Sequence, residues 1–398
     1  MKHRTLIMAG VGMSLALVAA ACGSSKSSSS PTSTNSSQPY EVGFDSSLSG
    51  PYAANGVGQR DGFMAYIDYV NAHGGENGHQ IKVTVLDDAA DISTATANET
   101  QLIAESHVSI TVGWLVSNLC GAAATIATAQ KVPILCSAIG SNLLDPVEPY
   151  VYSARNSQTS EALPMVTFAK TLLKTATPKV AIMIYGSAAS SGLQTALEAL
   201  VKSNGWQLVA NENVPLTETD ISAQTAQVIA GKPDIIMGSL YDPLAVSFMR
   251  SLQAQNVTAP FLDYDGASLQ GSLVPLKDPD YYVISSVTLT GQGSGSGLAT
   301  YQAATQAAGA NPTAPFVNVG YVQGIEVASA LKTCGFPCSG SAMQKAMDTL
   351  NVNTNGVTTG PIVFTPTDHE TLDDFAFYNW DSSTQAVTTA ASGLTGGS

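Results

Sequence analysis

Residues 41–88, EVGFDSSLSGPYAANGVGQRDGFMAYIDYVNAHGGENGHQIKVTVLDD, read as strand, glycine-rich loop, amphipathic helix and second strand. Residues 41–44 form a short strand and 46–58 a loop rich in Ser, Gly and Pro. Phe63, Met64, Ile67 and Val70 fall on one helical face, the pattern of a helix packed on a sheet. Gly74, Gly75 and Gly78 then end the helix and turn the chain into a strand over 81–86. The stretch is a βαβ unit.

The same alternation continues outward from it. Helix 94–106 leads to strand 108–112, helix 119–130 to strand 133–137. A second series follows Arg155: helix 162–174, strand 180–184, helix 193–204, strand 207–211, helix 222–230, strand 235–237, helix 244–255 and strand 261–262. A near-continuous apolar strand such as 110–112, flanked by helices, indicates a parallel sheet covered on both faces. The fold class is α/β, with two doubly wound, Rossmann-like lobes. Residues 281–289 are extended, and GQGSGSG at 291–297 reads as a flexible loop, because no Gly-Lys-Ser/Thr ending makes it a phosphate cradle. Helices at 298–308, 319–332 and 342–350 and strands at 362–364 and 375–379 complete the pattern, and the Ser/Thr/Gly end over 386–398 reads as a flexible tail.

With 398 residues, 44% of them hydrophobic and 12% charged, the chain can fill two domain-sized cores. A formal net charge of -14 offers no concentrated basic surface, which argues against a nucleic-acid partner. Residues 1–21 combine a short basic start with an apolar run and small residues, the form of an export signal. The sequence around Cys22 resembles a bacterial lipobox, so Cys22 is the expected lipidation site; Ala19 stands where Leu is usual, which keeps ordinary cleavage open. The Ser-rich stretch up to residue 39 reads as a tether.

Four further cysteines, Cys120, Cys136, Cys334 and Cys338, favour disulfides in an exported protein, with three connectivities available. Cys120 with Cys136 is the expected pair, since an early helix residue and a strand end meet at one sheet edge, and Cys334 with Cys338 closes a small loop. A metal site is the alternative, with no His near either pair. Asp87, Asp88 and Asp91 lack the spacing of a calcium loop and read as a polar loop. His73, His79, His107 and His369 fall away from the strand ends that would carry a site, and neither a Gly-x-Ser-x-Gly elbow nor an HExxH helix is present. No enzyme activity and no cofactor are expected.

Open α/β sheets bind ligands beyond the carboxyl ends of their strands. Here those loops are 45–56, 113–120, 137–142, 185–191, 239–243 and 263–267. Leu48-Ser49-Gly50-Pro51, Gly56, Asn71-Ala72-His73-Gly74-Gly75 with Gly78, and Asp87-Asp88 resemble the opening of the type I periplasmic binding proteins that serve branched-chain amino acid transporters. The likeness runs from about Tyr40 to Trp380 through residues 113–117 and 261–266, Tyr321 and Gly360-Pro361.

The resemblance implies two lobes joined by three crossings: 40–157 plus 288–360 for the amino-terminal lobe and 158–287 plus 361–385 for the carboxy-terminal one. It also implies ligand positions. Ser117 falls where a hydroxyl and backbone hold a ligand carboxylate, though it is equally placed to cap a helix. Ala138 falls where a carbonyl meets the ammonium, Gly140 replaces a clamping Thr, and Ser141 stands beside it. Asp265 matches the acid that pairs with the ammonium, unless it is a turn residue, and Tyr241 matches a pocket aromatic. Asn55, Ala189 and Asn318 stand where aromatic rings usually line the pocket, and Trp114 is placed beside Ser117, either in the pocket or in sheet packing.

The function implied is that of a monomeric, lipid-anchored receptor outside the cytoplasm. It captures a small polar ligand, an amino acid or amino-acid-like amide, for the permease and ATPase subunits of an ABC importer. A sensor reporting to a membrane kinase, or a binder of aromatic acids or urea-like amides, is the alternative.

Overall fold

The computed structural model describes residues 38–396 apart from 138–142, 216–217, 242–243 and 265. The opening stretch folds as β1 (Tyr40–Ser46), α1 (Ala53–Ala72) and β2 (Ile81–Asp87), with β1 and β2 parallel in register from Tyr40 opposite Ile81 to Ser46 opposite Asp87. Next come α2 (Ile92–Ala104), β3 (Thr111–Gly113), α3 (Ser117–Gln130), β4 (Ile134–Cys136) and β5 (Val151–Ser153). These strands form an all-parallel sheet of order β2-β1-β3-β4-β5. Alternation along β1 sends Val42 and Phe44 to the face shared with Phe63 and Ile67, while a side chain at Gly43 would meet Leu102 of α2 on the other.

The chain then passes into a second sheet through α4 (Ala162–Leu172), β6 (Lys179–Tyr185), α5 (Ala188–Ser203), β7 (Gln207–Val214), α6 (Ser222–Ala230) and β8 (Ile235–Ser239). It continues through α7 (Leu244–Ala254), β9 (Phe261–Asp263), α8 (Gly266–Leu276) and β10 (Tyr281–Ser285). After β10 it returns to the first sheet as α9 (Ser296–Ala307), α10 (Val317–Cys334), α11 (Gly340–Met347), β11 (Asn351–Val352) and β12 (Ile362–Val363). Finally β13 (Asp374–Asp381) and β14 (Ala386–Thr395) close the second sheet, of order β14-β13-β10-β9-β8-β6-β7. Strands β6 to β10 pair in parallel, while β13 and β14 are antiparallel additions.

Two placements differ from expectation. Residues 386–395 are the edge strand β14 rather than a flexible tail. Small residues and threonines suffice there, because an antiparallel edge strand takes its order from the β13 ladder rather than from a buried apolar face. Residues 361–372 side with the five-stranded sheet: Ile362, Phe364 and Leu372 are buried in the same core as Val42, Phe44 and Val287. Helix α8 fills a stretch to which the sequence reading assigned no element beyond the loop over 263–267.

Helices α1 and α10 pack backbone to backbone over the first sheet. A Cβ on Gly62 would stand 1.8 Å from the Val317 carbonyl oxygen, and one on Gly320 1.8 Å from that of Gln59, so only glycine permits this approach. Gln59 fills the seam with polar contacts, donating to Gln323 Oε1 at 2.8 Å and to the Gly113 carbonyl at 2.9 Å. Cys120 and Cys136 pair with Cα atoms 6.1 Å apart, and Cys334 and Cys338 with Cα atoms 5.7 Å apart, the pairing expected from the sequence.

Where the chain passes between sheets, its strands are tied together. Ser286 Oγ donates to Asn156 Oδ1 at 2.7 Å, Asn156 Nδ2 donates to Glu161 Oε1 at 2.9 Å, and the Thr359 N–H donates to the Ser286 carbonyl at 3.0 Å. Glu370 Oε1 accepts from the Ser157 N–H at 2.6 Å and from Ser160 Oγ at 2.9 Å. All three passages therefore share one hydrogen-bonded knot.

Candidate functional site

A cavity of ≈ 340 Å³ opens where the carboxyl ends of the two parallel sheets meet. The five-stranded side contributes Tyr52 and Asn55 after β1, Ala90 after β2, and Leu115, Val116, Ser117 and Asn118 after β3. The seven-stranded side contributes Tyr185, Ser187 and Ala189 after β6, Tyr241 after β8 and Tyr264 after β9. Arg155 and Gln158 follow β5 at the first passage between sheets, and Phe316 precedes α10. Every parallel-strand group thus enters from a carboxyl end, as the topology of open α/β sheets requires.

Ser117 is the first residue of α3, whose N-cap is Val116 and carries no side-chain cap. Ser117 is thus not the cap, and the amino end of α3 faces the cavity with its partial positive charge. On the opposite wall Ser187 caps α5, accepting from the Ser190 N–H at 3.1 Å. Tyr185, Tyr241 and Tyr264 stand edge to face in a row, with centroids 5.1 Å and 5.3 Å apart and interplanar angles of 82° and 87°. Burial first, then the neighbouring Tyr52 and Tyr241, push the Tyr185 phenol up to about 12, so it is a neutral donor at neutral pH.

Of the expected site residues, Ser117, Asn55, Ala189 and Tyr241 line the cavity. Trp114 does not: fully buried, it packs with Leu119, Cys120 and Ala123, turned away by its own backbone φ of 46°. Asn318 is also buried, inside the first turn of α10, where its Oδ1 accepts from the Val319 N–H at 3.0 Å. Ala138, Gly140, Ser141 and Asp265 lie outside the described residues, as does Cys22. Tyr52 and Tyr264 sit in loops the sequence had marked, whereas Arg155 and Phe316 were missed as lining residues. Phe316 occupies the cavity through a left-handed φ of 61°, which nothing in Pro-Phe-Val announces.

The aspartates after β2 spend their oxygens on the backbone. Asp87 Oδ1 accepts from the N–H groups of Leu48 (2.9 Å), Ser49 (3.2 Å) and Ala89 (2.8 Å), holding the loop that carries Tyr52. Asp91 caps α2 through the Thr94 N–H at 2.8 Å.

Residues 39–385 match the sequence profile of a family described as Periplasmic binding protein. The chain belongs to that family. As a type I periplasmic binding protein it is similar to the Leu/Ile/Val-binding protein BraC3 of Rhizobium johnstonii, at 24% identity over 231 residues. That match covers 57% of this chain and 61% of BraC3, less than two thirds of the relative's length. Its fold is similar to that of the binding protein LivJ of Streptococcus pneumoniae in complex with isoleucine, at 20% identity and a TM-score of 0.74 over 90% of this chain and 100% of the other. It is also similar to that of an R. palustris solute-binding protein in complex with 4-hydroxybenzoate, at 16% identity and a TM-score of 0.77 over 89% and 96% of the two chains. Periplasmic binding proteins are extracytoplasmic and serve ABC transporters by binding small molecules; they are not enzymes. No helix among the described residues of this one is long and apolar enough to cross a membrane.

Proposed function

We propose that the protein is the solute receptor of an ABC importer, taking a small polar molecule of amino-acid size into the cavity and handing it to the permease and ATPase subunits. The observation that carries this reading is a cavity fed by strand ends of both sheets, whose ≈ 340 Å³ accommodates a ligand of the size of an amino acid or small aromatic acid. The isoleucine and 4-hydroxybenzoate held by the two similar structures are of that size.

In this proposal Ser117 and the amino end of α3 meet the polar end of the ligand, Tyr241 packs on its body, and Asn55 and Ala189 leave the pocket wider than one built for leucine. Asp265, Ala138, Gly140 and Ser141 keep the roles that the family resemblance implies. The protein acts as a monomer with two closing lobes. It is held to the outer face of the membrane by lipid on Cys22 and a tether through residue 39, so Cys22→Ala should release it into the medium.

Calorimetry and thermal unfolding of ligand-stripped protein, screened over amino acids, amides and small aromatic acids, test the reading. A true ligand at a hundred times its Kd should stabilise the fold by about 2.7 kcal/mol. Turnover of any compound, or silence across the whole screen, would overturn it.

A further inference from the structure

His369 is buried on the five-stranded side. Its carbonyl accepts from the Ser153 N–H at 3.0 Å, its Nδ1–H donates to the Val151 carbonyl at 2.9 Å, and its ring stacks on Tyr152 with centroids 4.0 Å apart. Its Nε2 lies 3.1 Å from Asp348 Oδ1 at the end of α11. Thr371 Oγ1 accepts from the Val363 N–H at 2.9 Å, and Leu372 is buried in the core of the same sheet. The backbone that carries Glu370 is therefore fixed to one lobe. Its side chain reaches the other. Glu370 Oε1 accepts from the Ser157 N–H at 2.6 Å and from Ser160 Oγ at 2.9 Å, on the short turn Gln158–Glu161 that leads into α4. That turn sides with the seven-stranded sheet: Ser239 Oγ, at the end of β8, donates to Gln158 Oε1 at 3.3 Å, and Ala162 is buried with Ile182 and Ile235. Gln158 also lines the cavity.

We infer that Glu370 is a latch across the hinge, which sets the relation of the two lobes and the place of Gln158 in the cavity wall. The inference rests on the solute-receptor reading, in which the lobes close on a ligand, and gives one residue control of that motion. A hinge turns where a few residues between packed units absorb a change of φ and ψ. Here the turn that must move carries both donors, and their acceptor belongs to the other lobe. Rotation about residues 154–161 therefore has to stretch or break both bonds, and the Ser157 N–H, itself buried, resists losing its acceptor. Both contacts fall on one oxygen. A glutamine offers an oxygen at the same place and can keep them, whereas alanine keeps neither.

The test reads the lobes without any ligand. Spin labels on Thr100→Cys of α2 and Lys202→Cys of α5, exposed positions on the two lobes, report the interlobe distance, and hydrogen exchange over residues 155–161 reports the cavity wall. The full chain carries Cys22→Ala, so that with its other cysteines paired only the introduced ones react. With Glu370 in place one distance is expected. Glu370→Ala should add a second, populated above about 10%, and speed exchange over 155–161 at least about tenfold while the strands of both sheets stay protected. Glu370→Gln should restore the single distance and the slow exchange, whereas a merely structural role would lower thermal stability in Glu370→Ala without moving the distance. Ser160→Ala removes one donor, leaves the acceptor, and should also add the second distance; it decides the matter if Glu370→Ala fails to fold. An unchanged distance in the deciding variant, two distances with Glu370 in place, or a Glu370→Gln that behaves as alanine does overturns the latch. Each of these leaves the receptor reading standing, since that reading falls only with the ligand screen.

Discussion

Asp45 and Asp263 end central strands of the two sheets, and both are wholly buried behind loops that line the cavity. Their surroundings are opposite. Asp263 Oδ1 accepts from the Leu240 N–H at 2.8 Å and the Tyr264 N–H at 3.0 Å, while its Oδ2 accepts from the Tyr281 hydroxyl at 3.0 Å. Neither oxygen of Asp45 has a hydrogen-bond donor upon it. Burial raises its carboxyl to about 8; Asn98 opposes the shift, Asp88 and Asp87 add to it, and the Ser46 backbone opposes it least. The Asn98 amide itself donates to the Asp87 carbonyl at 3.1 Å. Glu99, facing Asp45 from α2, is likewise raised to about 8 by burial, against a hydrogen bond from Thr111. One carboxyl is a clasp for two loops. The other is half of a proton-holding pair beneath its loops.

Breaking the clasp should have the largest effect. Asp263→Ala removes the acceptor of the buried Leu240 N–H and of the Tyr281 phenol, each worth about 1–3 kcal/mol when left unsatisfied, while the Tyr264 N–H keeps the Gly238 carbonyl at 3.0 Å. Urea unfolding should show a loss of about 3–5 kcal/mol, and because Tyr241 follows the freed Leu240 N–H, ligand affinity should fall with it. A loss below about 1 kcal/mol would mean that the clasp does not hold these loops.

The proton-holding pair should reveal itself through pH. Unfolded, such carboxyls titrate near 4, whereas folded they keep their protons to about 8. Across that window the folded state binds protons that the unfolded chain has released, so stability falls as pH rises and levels off above it. The slope is on the order of 1 kcal/mol per pH unit for each group, with the two titrating as a pair. Asp45→Asn takes one proton out of this exchange. At pH 8 it should be more stable than the unaltered protein, by the difference that this slope accumulates, with the gain fading toward pH 4. Urea midpoints from pH 4 to 9 check this, and a flat profile for the unaltered protein would remove the protonated pair from consideration.

The contrast also marks what the sequence could disclose. Helix and strand alternation from β1 to β9 is carried by apolar periodicity over many residues, so the α/β class and the strand-end loops were legible. A carboxyl's partners are not. Asp45 read only as the start of a loop, and at the end of β9 attention went to Asp265, whereas Asp263 carries the clasp. Three-residue strands such as β3 and β9 are too short for alternation to tell a buried side chain from a lining one. Trp114 was left open between pocket and sheet packing for that reason, and Arg155 was not read as a lining residue because no local pattern distinguishes a cation that lines a cavity from one in solvent. The low-hydrophobicity edge strand β14 escaped because its order comes from pairing with β13, a contact made across the sheet.

Tyr281→Phe sharpens the comparison most finely, since it moves Asp263 one step toward the condition of Asp45. It removes the phenol from Oδ2 but leaves both backbone donors on Oδ1. The ring still fills its place between Phe261 and the core, so no cavity opens and only the hydrogen bond is lost. The cost should be about 1 kcal/mol, the smallest effect in the series, with ligand affinity unchanged within about twofold. If Tyr281→Phe instead weakened the fold as much as Asp263→Ala, the phenol rather than the two N–H groups would be holding Tyr241 and Tyr264 at the cavity wall. The clasp would then run through β10 rather than between the loops after β8 and β9.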